Sequence, residues 1–432
     1  IDFIKSGLTI NINKSNLGGV VEIAGNLGTS DRKILNNLNL YGGTLSFIDD
    51  KVSNIYVKNL NLYNNTNLWI DIDVKNSISD RFIIPEKVTL PSNKLMLSID
   101  NLNMLSFFDN NEESTAIQLI NTNQLTSRYF GFSGTDSDVA KYNYSGVDYF
   151  FILATEGYLV VSRDAPDYYL HPLVCAIKNM VANTYTMYSD NLLYNYGSLS
   201  KNPTQNKIQS NKLTIKGNNN SIIAGYLSEG DAKLSGIALV GSNYYPAYKQ
   251  EFYGYDVTFK NFENALINRG GKITLSNVNF ENNISDADGN AILNESGTVL
   301  VNGAKKLYSH FYNNSSQGNG GAVYNSGTMT INFVRFGNIS DDGSSLGNIA
   351  QNGGAIYNSN VLTVSNSEFI SNSADKIGGA LNNDGTFKST SNKFTLNTSS
   401  ENGGAIYNGN NLKDSSSSFN TNSADYGGAV YN

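Results

Sequence analysis

The sequence predicts an all-β solenoid, a right-handed parallel β-helix with short rungs. Three observations carry that prediction. A hexapeptide recurs seven times in the C-terminal half, its copies beginning at Glu263, Gly289, Gly320, Gly353, Gly378, Gly403 and Gly427. A phenylalanine follows the alanine of five of those copies at a nearly constant offset (Phe280, Phe336, Phe369, Phe394 and Phe419). The segments between turns are short runs of β-formers such as 328–333 and 361–365, which alternate apolar and polar. A period this short leaves no room for two helices, and the alternation is that of a half-buried strand.

The elements follow in chain order. Residues 8–12 alternate, and 37–41 (NLNLY) recur as 59–63, each copy followed by a further strand at 44–47 and 68–73. This is a fainter rung pattern, and it covers an N-terminal segment, 1–164. From 80 to 164 the period blurs, with strands still expected at 94–99 and 158–162. A junction spans 165–206. Within it Leu173, Ile177, Met180 and Val181 have helical spacing and Pro172 suits a first turn, so a short helix is expected near 172–182. Strand rhythm restarts at 211–215, and 207–432 form the repeat β-helix.

The copies of the hexapeptide assign its facing. Position four is always aliphatic (Leu266, Ile292, Val323, Ile356, Leu381, Ile406, Val430) and therefore inward. Position six is always Asn and shares that parity. An interior Asn column at a corner can bond amide to amide between rungs, and Asn tolerates the left-handed conformation that corners need. Position five is Tyr324, Tyr357, Tyr407 and Tyr431 but also Asn382, so it is expected outward. The glycines supply positive φ at the turn entry. The two long steps between copies place extra residues near 305–310 and 341–348.

Alternating GGA[ILV] and Phe-x-x-Asn, as in Phe311…Asn314, Phe369…Asn372 and Phe394…Asn397, resembles the polymorphic outer-membrane proteins and related autotransporter passengers of Gram-negative bacteria. The resemblance covers about 256–432. Residues 67–73 with 75–81 (NLWIDID, KNSISDR) are similar to segments of large autotransporter-like passengers. The resemblance implies a right-handed parallel β-helix, export through an outer-membrane translocator barrel in the full-length protein, and an extracellular, cell-surface role in adhesion. Its partners would be a surface protein or glycan of a host or neighbouring cell. Neither a secretion signal nor a barrel is present in this sequence, and both ends look cut, which suggests a piece of a larger protein.

Composition narrows the chemistry. Charged residues are 16%, against about 25% in a typical soluble protein, and the balance of 30 basic and 37 acidic residues gives −7. No basic excess is available for nucleic acid. Polarity sits instead in amides, with 66 asparagines. One cysteine, Cys175, and two histidines, His171 and His310, argue against a disulfide scaffold, a multi-Cys metal cluster or a His-dependent triad. No apolar run is long enough to cross a bilayer as a helix, so no membrane insertion by this segment is expected. No cofactor and no metal are expected. The calcium-like spelling Asp286-Ala287-Asp288-Gly289-Asn290 lacks the loop's sixth-position glycine and its final carboxylate.

β-Helices also include lyases and glycosidases. The best paired carboxylates are Asp71 and Asp73, whose ordinary reading is a solvated strand face, and His310 and Cys175 read as structural. The expected function is therefore a non-catalytic adhesin or interaction surface, with a β-helix carbohydrate-active enzyme and a structural spacer as the alternatives. Candidate ligand contacts are the Tyr column (Tyr324, Tyr357, Tyr407) and the tyrosine-rich insertion (Tyr244, Tyr245, Tyr248), because tyrosine joins a broad apolar ring to a hydrogen-bonding tip.

Overall fold

The structure, a computed structural model, describes residues 8–15, 19–27, 34–84, 93–108, 114–121, 126–135, 137–154, 157–163, 173, 176–177, 183–186, 193–195, 208, 211–224, 236–240, 250–305 and 307–432. Two compact units divide the chain at 189/190.

In the first unit the NLNLY repeat is a true rung. Strands Thr9–Ile12, Leu35–Leu40 and Asn54–Leu62 pair in parallel, with Asn37 beside Asn59 and Leu38 beside Leu60. A second parallel stack runs through Val20–Glu22, Thr44–Ser46, Thr66–Trp69, Leu95–Leu97 and Phe130–Phe132. Alternation buries Leu38, Leu40, Leu45, Phe47, Ile55 and Val57 in the core. Polar side chains on the opposite parity form their own ladder: Asn61 donates to Asn39 at 2.8 Å and Asn39 to Asn11 at 2.7 Å.

The blurred stretch mixes two arrangements: Arg81–Ile83, Leu95–Leu97, Asn103–Ser106 and Phe130–Phe132 continue the parallel stacks, and the remaining strands do not. Strands Val139–Tyr144, Val147–Leu153, Tyr158–Ser162 and Ser114–Gln118 form an antiparallel sheet. Its hairpin turns at Ser145 (φ 51°) and Gly146 (φ 83°), two consecutive left-handed residues of the kind that match the twist of paired strands. Of the expected helix, Leu173, Ala176 and Ile177 are helical and buried; the rest of 172–182, Cys175 included, lies outside the described residues.

In the second unit the regular rungs have four sides. One full rung comprises Ile356–Asn358, Val361–Ser365, Glu368–Ile370 and Ser373–Ile377. The next repeats it in parallel register as Leu381–Asn383, Thr386–Thr390, Lys393–Thr395 and Thr398–Ser399. Parallel stacking begins ahead of the hexapeptides, with Leu193–Asn195 beside Ile222, Ile223 and Ala224.

The double glycine has two separate causes. Gly353 has φ 64°, a left-handed conformation that a side chain resists. Gly354 is not left-handed; a Cβ there would run into the carbonyl oxygens of Gly379 on the next rung and of Ser373. The first glycine serves the turn and the second serves the stacking distance.

Inward columns make the core. The position-four aliphatics from Leu266 to Ile406 and the preceding alanines are fully buried. Phe280, Phe336, Phe369, Phe394 and Phe419 form one stack, joined by Phe259 and Phe311, with ring centroids 4.6–5.1 Å apart. That spacing is the inter-strand distance itself.

The position-six asparagines face inward, as their parity requires. From Asn268 through Asn294, Asn325, Asn358, Asn383 and Asn408, each passes an amide N–H to the next side-chain oxygen, ending at Asn432, over 2.5–3.0 Å. They are not the left-handed residues, however. Positive φ falls on Asn277, Asn366, Ser391 and Ser416 before the Phe strand, and on Asn282, Asn313, Ser371, Leu396 and Thr421 after it. The Asn column is needed for its amides, and other residues make the bends.

A second ladder links Asn283, Asn314, Asn348, Asn372, Asn397 and Asn422 at 2.8–3.0 Å. Asn348 explains the odd repeat. Phe336 lacks the Asn of Phe-x-x-Asn because a loop intervenes, and Asn348 closes that loop and takes the ladder position.

Candidate interaction surface

Position five is where the sequence placed an outward stripe. Tyr324 and Tyr357 stack at 5.3 Å, and Tyr407 and Tyr431 at 5.6 Å. The column is less exposed than its alternation suggests. Tyr324, Tyr357 and Tyr407 are half-buried, Tyr431 is 39% exposed, and Ile267 at the same position is buried. Asn382, expected outward, is 1% exposed, and its Oδ1 has no hydrogen-bond partner. It lies in register between Tyr357 and Tyr407. The stripe is therefore two aromatic pairs separated by a buried amide.

Tyr357 Oη donates to Asp384 at 2.7 Å. Burial first, and then that carboxylate, raise the phenol above its ordinary pKa, so the hydroxyl stays protonated at any physiological pH. Tyr244, Tyr245 and Tyr248 lie outside the described residues. The first unit has aromatics of the same sort, with Tyr41 and Tyr63 stacked at 4.4 Å and Tyr144 on Phe107 at 4.0 Å.

The carboxylates offered for catalysis are placed otherwise than expected. Asp71 is not on a solvated face; it is fully buried. Its Oδ2 accepts the backbone N–H groups of Asp49 (2.9 Å) and Lys51 (3.2 Å), and its Oδ1 accepts Asn103 at 2.5 Å. Asp73 bonds Ser106 and Asn76. The closer partner of Asp71 is Asp80, which sequence spacing alone does not reveal. Asp80 accepts the backbone N–H groups of Ser53 (2.6 Å) and Asp71 (2.8 Å). Burial, helped by Asp71 and Asp49 and opposed by those two donors, raises Asp80 to about 7. This network joins neighbouring rungs from inside, with its oxygens occupied by main-chain N–H groups and, at Asp71 Oδ1, by the Asn103 amide.

Asp288 of the calcium-like spelling is likewise committed to protein, accepting the N–H of Asn319 at 2.5 Å, and Asn290 donates to Ser315. Among the described residues no group of three or more His, Cys, Asp or Glu could hold a metal ion.

Sequence reasoning also missed a charged row on the outer side of the Phe strands. Arg335 meets Glu368 at 2.8 Å and Lys393 meets Glu368 at 3.2 Å. Each pair is separated in sequence by the length of its own rung, so the alternating signs were present in the spacing.

A parallel β-helix of GGA[ILV] and Phe-x-x-Asn rungs with an outer aromatic column defines a class of repeat solenoid. Within that class, residues 309–326 and 393–409 match the family model of the Chlamydia polymorphic membrane protein repeat. The match supports assignment to the polymorphic outer-membrane protein family, which implies an outer-membrane or surface location. No curated protein and no solved structure matches the chain.

Proposed function

We propose that this chain is the passenger part of a surface-displayed protein and acts, without catalysis, as an adhesin or interaction surface for a protein or glycan on another cell. The observation that carries the reading is the pairing of tyrosines at rung spacing on the outer side of the hexapeptide strands. Each pair offers a ring face and a polar edge, and the core beneath it holds the rings in place at no further entropic cost. The weak charge balance and the internally paired ions favour attachment by aromatic contact over electrostatic attraction. Asp71 and Asp80 are enclosed by donors of the protein itself, main-chain N–H groups and the Asn103 amide, so the reading does not draw on them.

Adhesion of the purified chain to a panel of cells and glycans tests this at ~0.05 and ~0.5 M salt, which bracket the physiological Debye length of about 8 Å. Attachment should change little between the two. Tyr324→Ser with Tyr407→Ser should weaken it roughly tenfold or more, about 1.4 kcal/mol, and the triple Ser replacement of Tyr244, Tyr245 and Tyr248 tests the insertion separately. Attachment that collapses at high salt and ignores the tyrosine variants would overturn the reading.

A further inference from the structure

Two long loops interrupt the otherwise even rungs, and both border the same strands. The corner before Glu368 is Asn366 and Ser367 alone, whereas the corresponding corner before His310 begins at Gly303 and ends at Ser309. Phe369 is followed closely by its ladder Asn372, whereas a whole loop separates Phe336 from Asn348. The first loop enters the strand Ser309–Tyr312 and the second leaves the strand Val334–Phe336, its neighbour in the stack. Loops thus leave at opposite ends of one pair of adjacent strands. Insertions on stacked repeats collect where a solenoid binds.

The outer side chains between those loops form a compact set. Tyr308, from the first loop, lies over the Arg335 guanidinium at 5.2 Å. His310 and Tyr312 are neighbours at 5.3 Å between ring centroids. Glu281 is the register neighbour of Tyr312 on the preceding rung. The second loop is tied to this rung where Asn313 N–H donates to Leu346 O at 3.3 Å.

Hydrogen-bonding capacity is left over in this set. His310 Nδ1 is buried and has no partner within the protein, a condition that native interiors seldom tolerate. Burial, and then Arg335, hold its imidazole neutral, down to about 4. Tyr312 is pushed up to about 12 by burial and by Glu281, so it keeps its O–H. The charges, by contrast, are matched: Arg335 and Lys393 with Glu368, and Glu281 facing Lys260. The strands here are hydrogen-bonded on both sides, so an extended peptide finds no free edge.

We infer that the outer face formed by Tyr308, His310, Tyr312, Glu281 and Arg335, bracketed by the loop that ends at Tyr308 and the loop 338–347, is a binding site for a neutral oligosaccharide. Hydroxyl groups suit a mixed set of carboxylate, phenol and imidazole, and the aromatic rings suit the apolar face of a sugar ring. A charged ligand would meet no uncompensated charge. The inference rests on the attachment reading above and adds to its tyrosine pairs a second place, with one ligand class.

The test uses the intact chain on an array of neutral oligosaccharides ending in glucose, galactose or N-acetylglucosamine, followed by titration of the tightest. Wild type should bind. Tyr312→Ser and the near-isosteric Glu281→Gln should each weaken binding at least about tenfold with the melting midpoint of the chain nearly unchanged, while Tyr426→Ser, an exposed tyrosine outside both candidate surfaces, should leave the array signal intact. Glycan binding that survives both Tyr312→Ser and Glu281→Gln would overturn this site and leave the attachment reading standing. Attachment to cells with no neutral glycan bound would overturn the ligand class alone, and absence of both would sink the two readings together.

Discussion

Asn358 shows how a single residue type is used here. It is fully buried, donates to Asn383 at 2.7 Å and to Asn360 O at 3.1 Å, and accepts from Asn325 at 2.7 Å. Leucine fits the volume and supplies none of these bonds, so Asn325 Nδ2 keeps only its links to Gly327 O and Val361 O, and Asn383 Oδ1 only that from Gly385 N–H. We expect Asn358→Leu to cost about 1.5–4.5 kcal/mol, three lost bonds at about 0.5–1.5 kcal/mol each. Tyr357→Ser removes a half-buried ring and one bond to Asp384 and should cost about 1 kcal/mol. Denaturant midpoints of the two variants give the order, and the reverse order would mean that the amide ladder contributes little. This column was legible beforehand because identity and parity agree at every copy. Asn382 was not, since it shares a position with tyrosines and only packing between Tyr357 and Tyr407 decides its burial.

A rung is interchangeable with its neighbour when the inward residues fall in the same columns. Residues 378–402 form one whole rung, which begins at Gly378 and stops just before the equivalent Gly403. Deleting them should bring Asn358 to Asn408 and Phe369 to Phe419, so that both columns close again. Deleting 378–389 instead would set the strand that begins at Lys393 against the hexapeptide strand and expose every inward side chain beyond it. Circular dichroism and a melting curve distinguish the outcomes: a cooperative β-rich fold for the first deletion and a broad or lost transition for the second. A non-cooperative melt for the whole-rung deletion would show that rungs depend on features beyond column identity. The repeat made this element readable, down to the Phe column. It failed where chain leaves the stack, as at the hairpin through Ser145 and Gly146, since a single hairpin repeats nothing. The Asp71–Asp80 pair escaped for a similar reason. The two residues meet because a strand reverses at Ser77 (φ 59°), where Ile72 pairs antiparallel with Ser79.

Taken whole, the chain should respond to acid with opposite signs in its two units. Asp80 faces Asp71 and Asp49, and its folded pKa is raised from 3.8 to about 7. A raised carboxyl favours the protonated fold, so its contribution is fully present below about pH 4 and is lost as pH rises towards 7. The first unit should gain about 2–4 kcal/mol from this group between pH 8 and 4. His310 faces Arg335 and Glu368, and its pKa is lowered from 6.5 to about 4. Its contribution is complete above pH 6.5 and lost as pH falls through about 4, roughly 1–3 kcal/mol after allowance for partial exposure. Glu281, raised by burial, opposes His310, so His310→Gln isolates the imidazole. Hydrogen exchange on the intact chain, corrected for intrinsic rates, should show residues 44–84 slowing and 278–336 quickening between pH 7 and 4.5. Equal slopes in both segments would refute the assignment. The two internal ladders of the second unit have one more property: every link runs the same way, each N–H pointing towards the C-terminal rung, from Asn268 to Asn432 and from Asn283 to Asn422. They are rows of aligned dipoles. Each added amide polarises those already in line, so a rung in the middle of the stack is held more firmly than one at an end, and the grip between neighbours grows with the number of rungs stacked.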